Sequence, residues 1–372
     1  MRPCSSWLCV LPIFLLCSLP GPAVAQVAPP SASPAQPEKQ RPLNVDRDPV
    51  ASPDGENTAP NQPQNPALIG RDNGRYTLQR NVDEVVLNAT VLDDHQHLVT
   101  TLAKDDFKVA EDGVAQTITS FQHQDIPISL GILVDNSGSM RTKRQAVNSS
   151  ALDLVHASNP DDESFVVNFS DEAYIDQDFT ANVNKLRDGL SHIDSKGGTA
   201  LYDAIMASAD YLTKNAKRSK QVLLVITDGE DNASSTTLEE TVRRIQDLQG
   251  PIVYSIGLLY DDTGGGREAK RAKRALEMLA NETGGVSFFP KNLAQVDEIA
   301  AEVARDIREQ YTIGYHSTKP ISQGGFRAVH VDAKAKGYNK LIVRTKTGYY
   351  PSSKRANAAG PGSPKGSQTA PN

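Results

Sequence analysis

Cysteine is nearly absent from this chain of 372 residues. Its three cysteines, Cys4, Cys9 and Cys17, fall within the first 25 residues, and so does its one tryptophan, Trp7. Beyond residue 25 there is no thiol. That excludes a cysteine nucleophile, a zinc–thiolate centre, a redox relay and a disulfide framework. Long apolar runs are also lacking after residue 25, whereas a membrane-spanning helix needs about 20 apolar residues in succession. The charge has no strong bias of one sign: the net value is −6, which argues against a general nucleic-acid binder. No internal repeat is visible.

The termini have compositions of their own. Residues 1–25 carry Arg2, an apolar stretch from Trp7 to Leu19, and Ala23-Val24-Ala25, the small-x-small pattern of a signal-peptidase site. We read them as a signal peptide. Bulky Phe14, Leu15 and Leu16 before Cys17 speak against a lipoprotein. Export without disulfides fits a bacterium, in periplasm, on the surface or in the medium. Residues 26–75 form a Pro-rich linker expected to be disordered, since such a segment buries too little apolar surface to offset its ordering entropy. The same holds for the Gly/Pro/Ser/Ala-rich tail, 352–372.

Three structured stretches are expected between them. Residues 76–126 read as β-rich: Val85, Leu87, Ala89 and Val91 alternate with their neighbours, and Asp112-Gly113 between two strand-like runs signals a hairpin. From 127 to 309, strands alternate with helices. Strands are expected at 128–134, 164–169, 221–227, 252–258 and 286–289, with an edge strand near 173–179. Helices are expected near 140–157, 199–214, 236–248, 267–282 and 292–308. Such alternation implies an α/β fold with a doubly wound, mostly parallel sheet. Residues 310–351 return to β-patterning. Neither β-rich flank suffices for a core of its own, so the two are expected to pack as one small β-domain into which the α/β domain is inserted.

Oxygen ligands gather at three places in the α/β stretch. Asp135-Asn136-Ser137-Gly138-Ser139 follows the apolar run Ile128–Val134. Thr199 follows Gly197-Gly198, and Asp228 ends the run Val222–Thr227. In open α/β sheets, ligands bind beyond the carboxyl ends of the strands. Carboxylate and hydroxyl oxygens placed there suit a hard divalent cation. Each segment alone reads better as a turn or a helix cap. Their joint occurrence favours a metal site of Asp135, Ser137, Ser139, Thr199 and Asp228. The other candidates are weaker. Glu230 and Asp231 could tune the rim, His95 and His97 sit in an expected exposed turn, and Asp261-Asp262 with Gly264–Gly266 lacks the lysine and spacing of a phosphate loop.

With those residues in view, the stretch 127–309 resembles the von Willebrand factor type A domain. Asp135-x-Ser137-x-Ser139, Thr199 and Asp228 match the five positions of its metal-ion-dependent adhesion site. The wider chain, with Asp106–Gly113 and Gly348-Tyr349-Tyr350, resembles exported bacterial proteins related to that domain. The resemblance implies a Rossmann-like fold and Mg²⁺, with Mn²⁺ or Ca²⁺ as alternatives. It also implies serines that bind the metal directly, aspartates that act in part through water, and a protein partner that supplies an Asp or Glu carboxylate. A last helix, 292–308, moves in some relatives. The resulting expectation is an exported, non-catalytic binding module. A metal-dependent hydrolase with Glu230 as base, or a scaffold stabilised by the metal, are the alternatives.

Overall fold

The computed structural model describes residues 84–351 except 158 and 262–265, together with four short strands before them. The stretch read as a signal peptide, the tail and most of the stretch read as a linker lie outside the described residues. The four early strands are β1 (Leu43–Val45), β2 (Asp48–Val50), β3 (Ile69–Asp72) and β4 (Arg75–Leu78). They bring a correction, because β1, β2 and β3 lie in the stretch read as a disordered linker. Backbone pairing explains them: β1 adds in parallel to an edge strand, with Asn44 opposite Tyr174, and β2 folds back on β1. An open sheet edge offers unpaired N–H and C=O groups whatever the side chains are. Pro49 falls on the outermost strand, where a missing N–H is tolerated.

The first flank contributes β5 (Glu84–Leu92), β6 (Phe107–Glu111), β7 (Val114–Gln116) and β8 (Ile118–Gln122). The α/β region follows with β9 (Ile128–Asp135), α1 (Arg144–His156), β10 (Glu163–Phe169), β11 (Ala173–Thr180), α2 (Val183–Leu190) and α3 (Leu201–Asn215). It continues with β12 (Lys220–Thr227), α4 (Leu238–Asp247), β13 (Ile252–Gly257), α5 (Arg267–Thr283), β14 (Ser287–Phe288) and α6 (Val296–Arg308). The second flank supplies β15 (Tyr311–His316), β16 (Arg327–Ala333), β17 (Ile342–Arg344) and β18 (Gly348–Tyr349).

The central sheet has the order β14-β13-β12-β9-β10-β11-β1-β2. Its inner strands run parallel and β11 is antiparallel to β10. Helices cover both faces. Ile128, Leu130, Ile132 and Val134 pack with α1, α2 and α6, and Leu133, Leu223 and Val225 pack with α3, α4 and α5. A strand buried on both faces has to be apolar at nearly every position, as β9 is. At Gly131 a Cβ would stand 2.6 Å from both Leu223 and Phe165, so the residue makes room for its neighbours.

The short helix α2 is absent from the sequence-based expectation. Asn182 caps it, accepting from the backbone of Asn184 and Lys185, and Leu186 and Leu190 face inward. Eight residues with a glycine near the end give too brief a period to read by pattern. Helix α1 begins at Arg144 because a 3₁₀ turn occupies Gly138–Thr142.

Strands of both flanks share two four-stranded sheets, β17-β5-β15-β8 and β18-β16-β6-β7. Their common core holds Leu87, Val109, Tyr311, Ile313 and Val331. Asp112 and Gly113 both have positive φ and join Glu111 to its register partner Val114. This is the two-residue hairpin turn that Asp-Gly favours.

Candidate metal centre

The chain leaves β9 toward β10 on one side and returns as β12 on the other. The carboxyl ends of β9 and β12 therefore flank a topological switch point, where α/β sheets place ligands. The register Val134–Ile226 sets Asp135 beside Thr227. The Thr227 hydroxyl donates to Asp135 Oδ2 at 2.6 Å, and the Ser137 backbone N–H donates to Oδ1 at 2.8 Å. Asp135 is fully buried. Burial raises its pKa above the ordinary carboxylate value, against the two hydroxyl and backbone hydrogen bonds, and the nearby Asp228 charge acts in the same direction.

The serines lie directly in front. Ser137 Oγ and Ser139 Oγ are 3.1 Å apart, and Ser139 Oγ donates to Asp228 Oδ1 at 2.8 Å. The second oxygen of Asp228 meets Lys143 Nζ at 2.8 Å. The Asp228 side chain is 1% exposed, although the residue as a whole reaches the surface through its backbone. Asp135, Ser137, Ser139 and Asp228 thus form one continuous polar cluster.

Thr199 stands beside the cluster, and its backbone hydrogen bonds go to the Asn232–Ala233 loop instead of to the other four residues. Its N–H donates to Asn232 Oδ1 at 2.9 Å, and its carbonyl accepts from Asn232 and Ala233. Its Oγ1 comes within 3.6 Å of where a Cβ on Gly229 would stand, beside the residue that follows Asp228. The preceding glycines are held rather than loose. Gly198 N–H donates to Asp171 Oδ1 at 2.7 Å, and Gly197 has φ +82° with an Asp171 oxygen 2.3 Å from its notional Cβ. A side chain at 197 would need both a strained backbone and that occupied space.

Two cations back the cluster, and sequence reasoning passed over both. Lys143 pairs with Asp228 and lies 5.4 Å from the Tyr260 ring centre. Arg144 is buried, donates to Asn168 Oδ1 and to the Leu190 carbonyl, and feels the Asp135 charge. Burial pulls its pKa down to about 10. A signal was present: Arg141, Lys143 and Arg144 crowd the start of a helix, where the macrodipole disfavours cations. Such a cluster asks for anions nearby.

The weaker candidates are engaged elsewhere. Glu230 is ion-paired to Arg271 at 2.5 Å. Asp231 accepts from Tyr202 N–H and the Ser234 hydroxyl. His95 and His97 are exposed in the turn closed by Asp93. His192 Nδ1 lies 2.9 Å from Asp176. Among the described residues, no three His, Cys, Asp or Glu side chains come together as metal ligands do. The cluster at the switch point is of another kind, two carboxylates with hydroxyls, and this all-oxygen donor set fits a hard divalent cation.

A family model for the von Willebrand factor type A domain matches residues 130–230. That span contains Asp135, Ser137, Ser139, Thr199 and Asp228. No curated protein matches the chain. Similar solved structures include a von Willebrand factor type A protein from Catenulispora acidiphila, at 13% identity, 73% of this chain, 74% of that one and a TM-score of 0.43. BatB from Bacteroides thetaiotaomicron aligns at 18% identity over 48% of this chain and 98% of its own, with a TM-score of 0.38. The vWF domain of the pilus tip protein Mfa5 from Porphyromonas gingivalis aligns at 11% identity over 49% and 97%, with a TM-score of 0.39.

Proposed function

We propose that this protein is an exported, non-catalytic binding module that holds Mg²⁺ at the switch point and captures an acidic group of a protein partner. The observation that carries the reading is the chain of oxygens from Ser137 through Ser139 to Asp228, with links of 3.1 and 2.8 Å. Asp135, Ser137, Ser139, Thr199 and Asp228 would hold the ion. Mn²⁺ and Ca²⁺ would be the competing occupants. When bound, the ion would supply a Lewis-acidic point at the sheet edge.

The surrounding charge favours an acidic partner. Asp135 and Asp228 supply two negative charges, while Lys143 and Arg144 supply two positive ones. The four together leave the charge of a divalent ion largely uncancelled, so an external carboxylate remains strongly attracted to it. The Glu230–Arg271 pair supports binding over hydrolysis, because the best placed base is already engaged. The Ala23-Val24-Ala25 pattern supports export. Among the described residues, no helix is long and apolar enough to cross a membrane.

Calorimetry of Mg²⁺ added to chelator-treated protein tests the metal. Binding is expected for the wild type and should vanish in Ser137→Ala/Ser139→Ala. Binding that survives the double substitution would sink the assignment. Partner capture should then require Mg²⁺ and fail in the double variant. Capture indifferent to a chelator would leave the metal a structural role only.

A further inference from the structure

We propose that Lys143 is a built-in counter-cation that holds Asp228 back from the metal and thereby sets how tightly the site takes a divalent ion. The inference rests on the metal-binding reading above and deepens it. Lys143 stands at the residue before α1, at the helix end where a positive charge is least welcome. Its side chain is only 8% exposed. An ammonium is buried at such a place only when paired. The pair is Asp228 Oδ2 at 2.8 Å, with the Tyr260 ring on a second side, 5.4 Å from Nζ to the ring centre.

Both oxygens of Asp228 are therefore committed. One faces the ammonium and the other accepts from Ser139 Oγ. A divalent ion approaching the serines meets a carboxylate already neutralised, and it meets the ammonium's repulsion as well. Two consequences follow for the site. The ion binds more weakly than two free carboxylates would bind it, and once bound it keeps more of its charge for an external acid. Outer-shell partners that support a ligand are worth about one to two orders of magnitude in metal affinity; Lys143 instead competes with the ion for Asp228, so an effect of that size is expected with the opposite sign.

The test is Mg²⁺ calorimetry on the full chain, comparing wild type, Lys143→Met, Lys143→Gln and Lys143→Arg. Removing the charge frees Asp228 and removes a repulsion, so Mg²⁺ binding should tighten by about tenfold. Lys143→Arg keeps the charge and should stay near the wild-type value. Removing the lysine leaves the Asp228 charge without its ion-pair partner, which destabilises the metal-free variant. Melting temperature against Mg²⁺ concentration covers that case, and the Mg²⁺-dependent gain should then be larger in the Met and Gln variants. Unchanged or weakened affinity in these variants overturns the inference and leaves the metal reading standing. Absence of Mg²⁺ binding in wild type and variants alike overturns both.

Discussion

The two ends of the central sheet use the same kinds of residue to opposite effect. At the carboxyl end, Asp135, Ser137, Ser139 and Asp228 form a cluster that reaches the surface at Ser139. At the amino end, the charges are bound up with one another and with the β-rich flanks. Asp306 accepts from Tyr254 Oη at 2.6 Å and pairs with Arg344 at 2.7 Å. Gln310 bridges Tyr254 Oη and Thr90 Oγ1, both at 3.2 Å. Arg308 joins Asp125 and the Ala157 carbonyl. Lys220 Nζ donates to the carbonyl of Ile307 at the end of α6. The difference separates polar groups turned toward one another from a cluster that reaches the surface at its serine end. The first kind joins the α/β region to the flanks, and the second is where the proposed ion would bind.

The largest expected effect at the amino end belongs to Lys220. Burial pulls its pKa down to about 8, against the attraction of Asp306, Asp125 and Asp162. Below about 8 the amine is charged in both folded and unfolded chains, and the full burial penalty is present. Between about 8 and its ordinary 10.5 the unfolded chain binds more protons, so stability rises with pH. The gain should approach about 3 kcal/mol across that window. Urea denaturation of wild type and Lys220→Met at several pH values reads it as a difference that the variant lacks. Parallel curves would mean that the amine is better solvated than its surroundings indicate. The next effect belongs to Asp306→Ala, which removes the acceptor of the Tyr254 hydroxyl and the ion-pair partner of Arg344. Arg344 is 28% exposed, which moderates the loss. A cost of about 2–3 kcal/mol is expected, with Mg²⁺ affinity unchanged. A matching loss of Mg²⁺ binding would instead couple the two ends of the sheet.

The contrast was only partly legible in the sequence. The doubly wound sheet was, because apolar runs ending in Asp135 and Thr227-Asp228 mark where buried strands meet solvent. The five oxygen residues could be named because each stands on a loop after such a run or before a helix. The crowding of Arg141, Lys143 and Arg144 at a helix start pointed to a nearby anion but did not name it. Lys143 meets Asp228 only because β12 lies beside β9, a fact of topology that neither residue's neighbours in sequence record. Nothing in the sequence around Gly197-Gly198 names Asp171, from a different loop, as the residue that holds it in place. The edge strands β1 and β2 escaped notice because backbone pairing leaves no mark on side-chain pattern. The amino-end network escaped as well, since Thr90, Tyr254, Asp306, Gln310 and Arg344 come from both flanks and the α/β region.

The smallest change in stability is expected at the carboxyl end, for Asp135→Asn without metal. Asp135 is fully buried and its pKa is raised, so at neutral pH its charge is less favourable in the folded protein than in the unfolded chain. That penalty disappears as pH falls through the raised value. Asparagine removes the charge and keeps an oxygen for the Ser137 N–H, and the Thr227 hydroxyl can turn to accept from the new amide. The lost attraction to Arg144 works the other way. Urea denaturation in chelator should therefore change by no more than about 1 kcal/mol. Mg²⁺ should separate the two proteins. At a hundredfold excess over its dissociation constant it should stabilise the wild type by about 2.7 kcal/mol and leave the variant unmoved. A loss of 2–3 kcal/mol in chelator, like that expected of Asp306→Ala, would mean that Asp135 is as interlocked as the amino-end network, and the contrast between the two ends would fail.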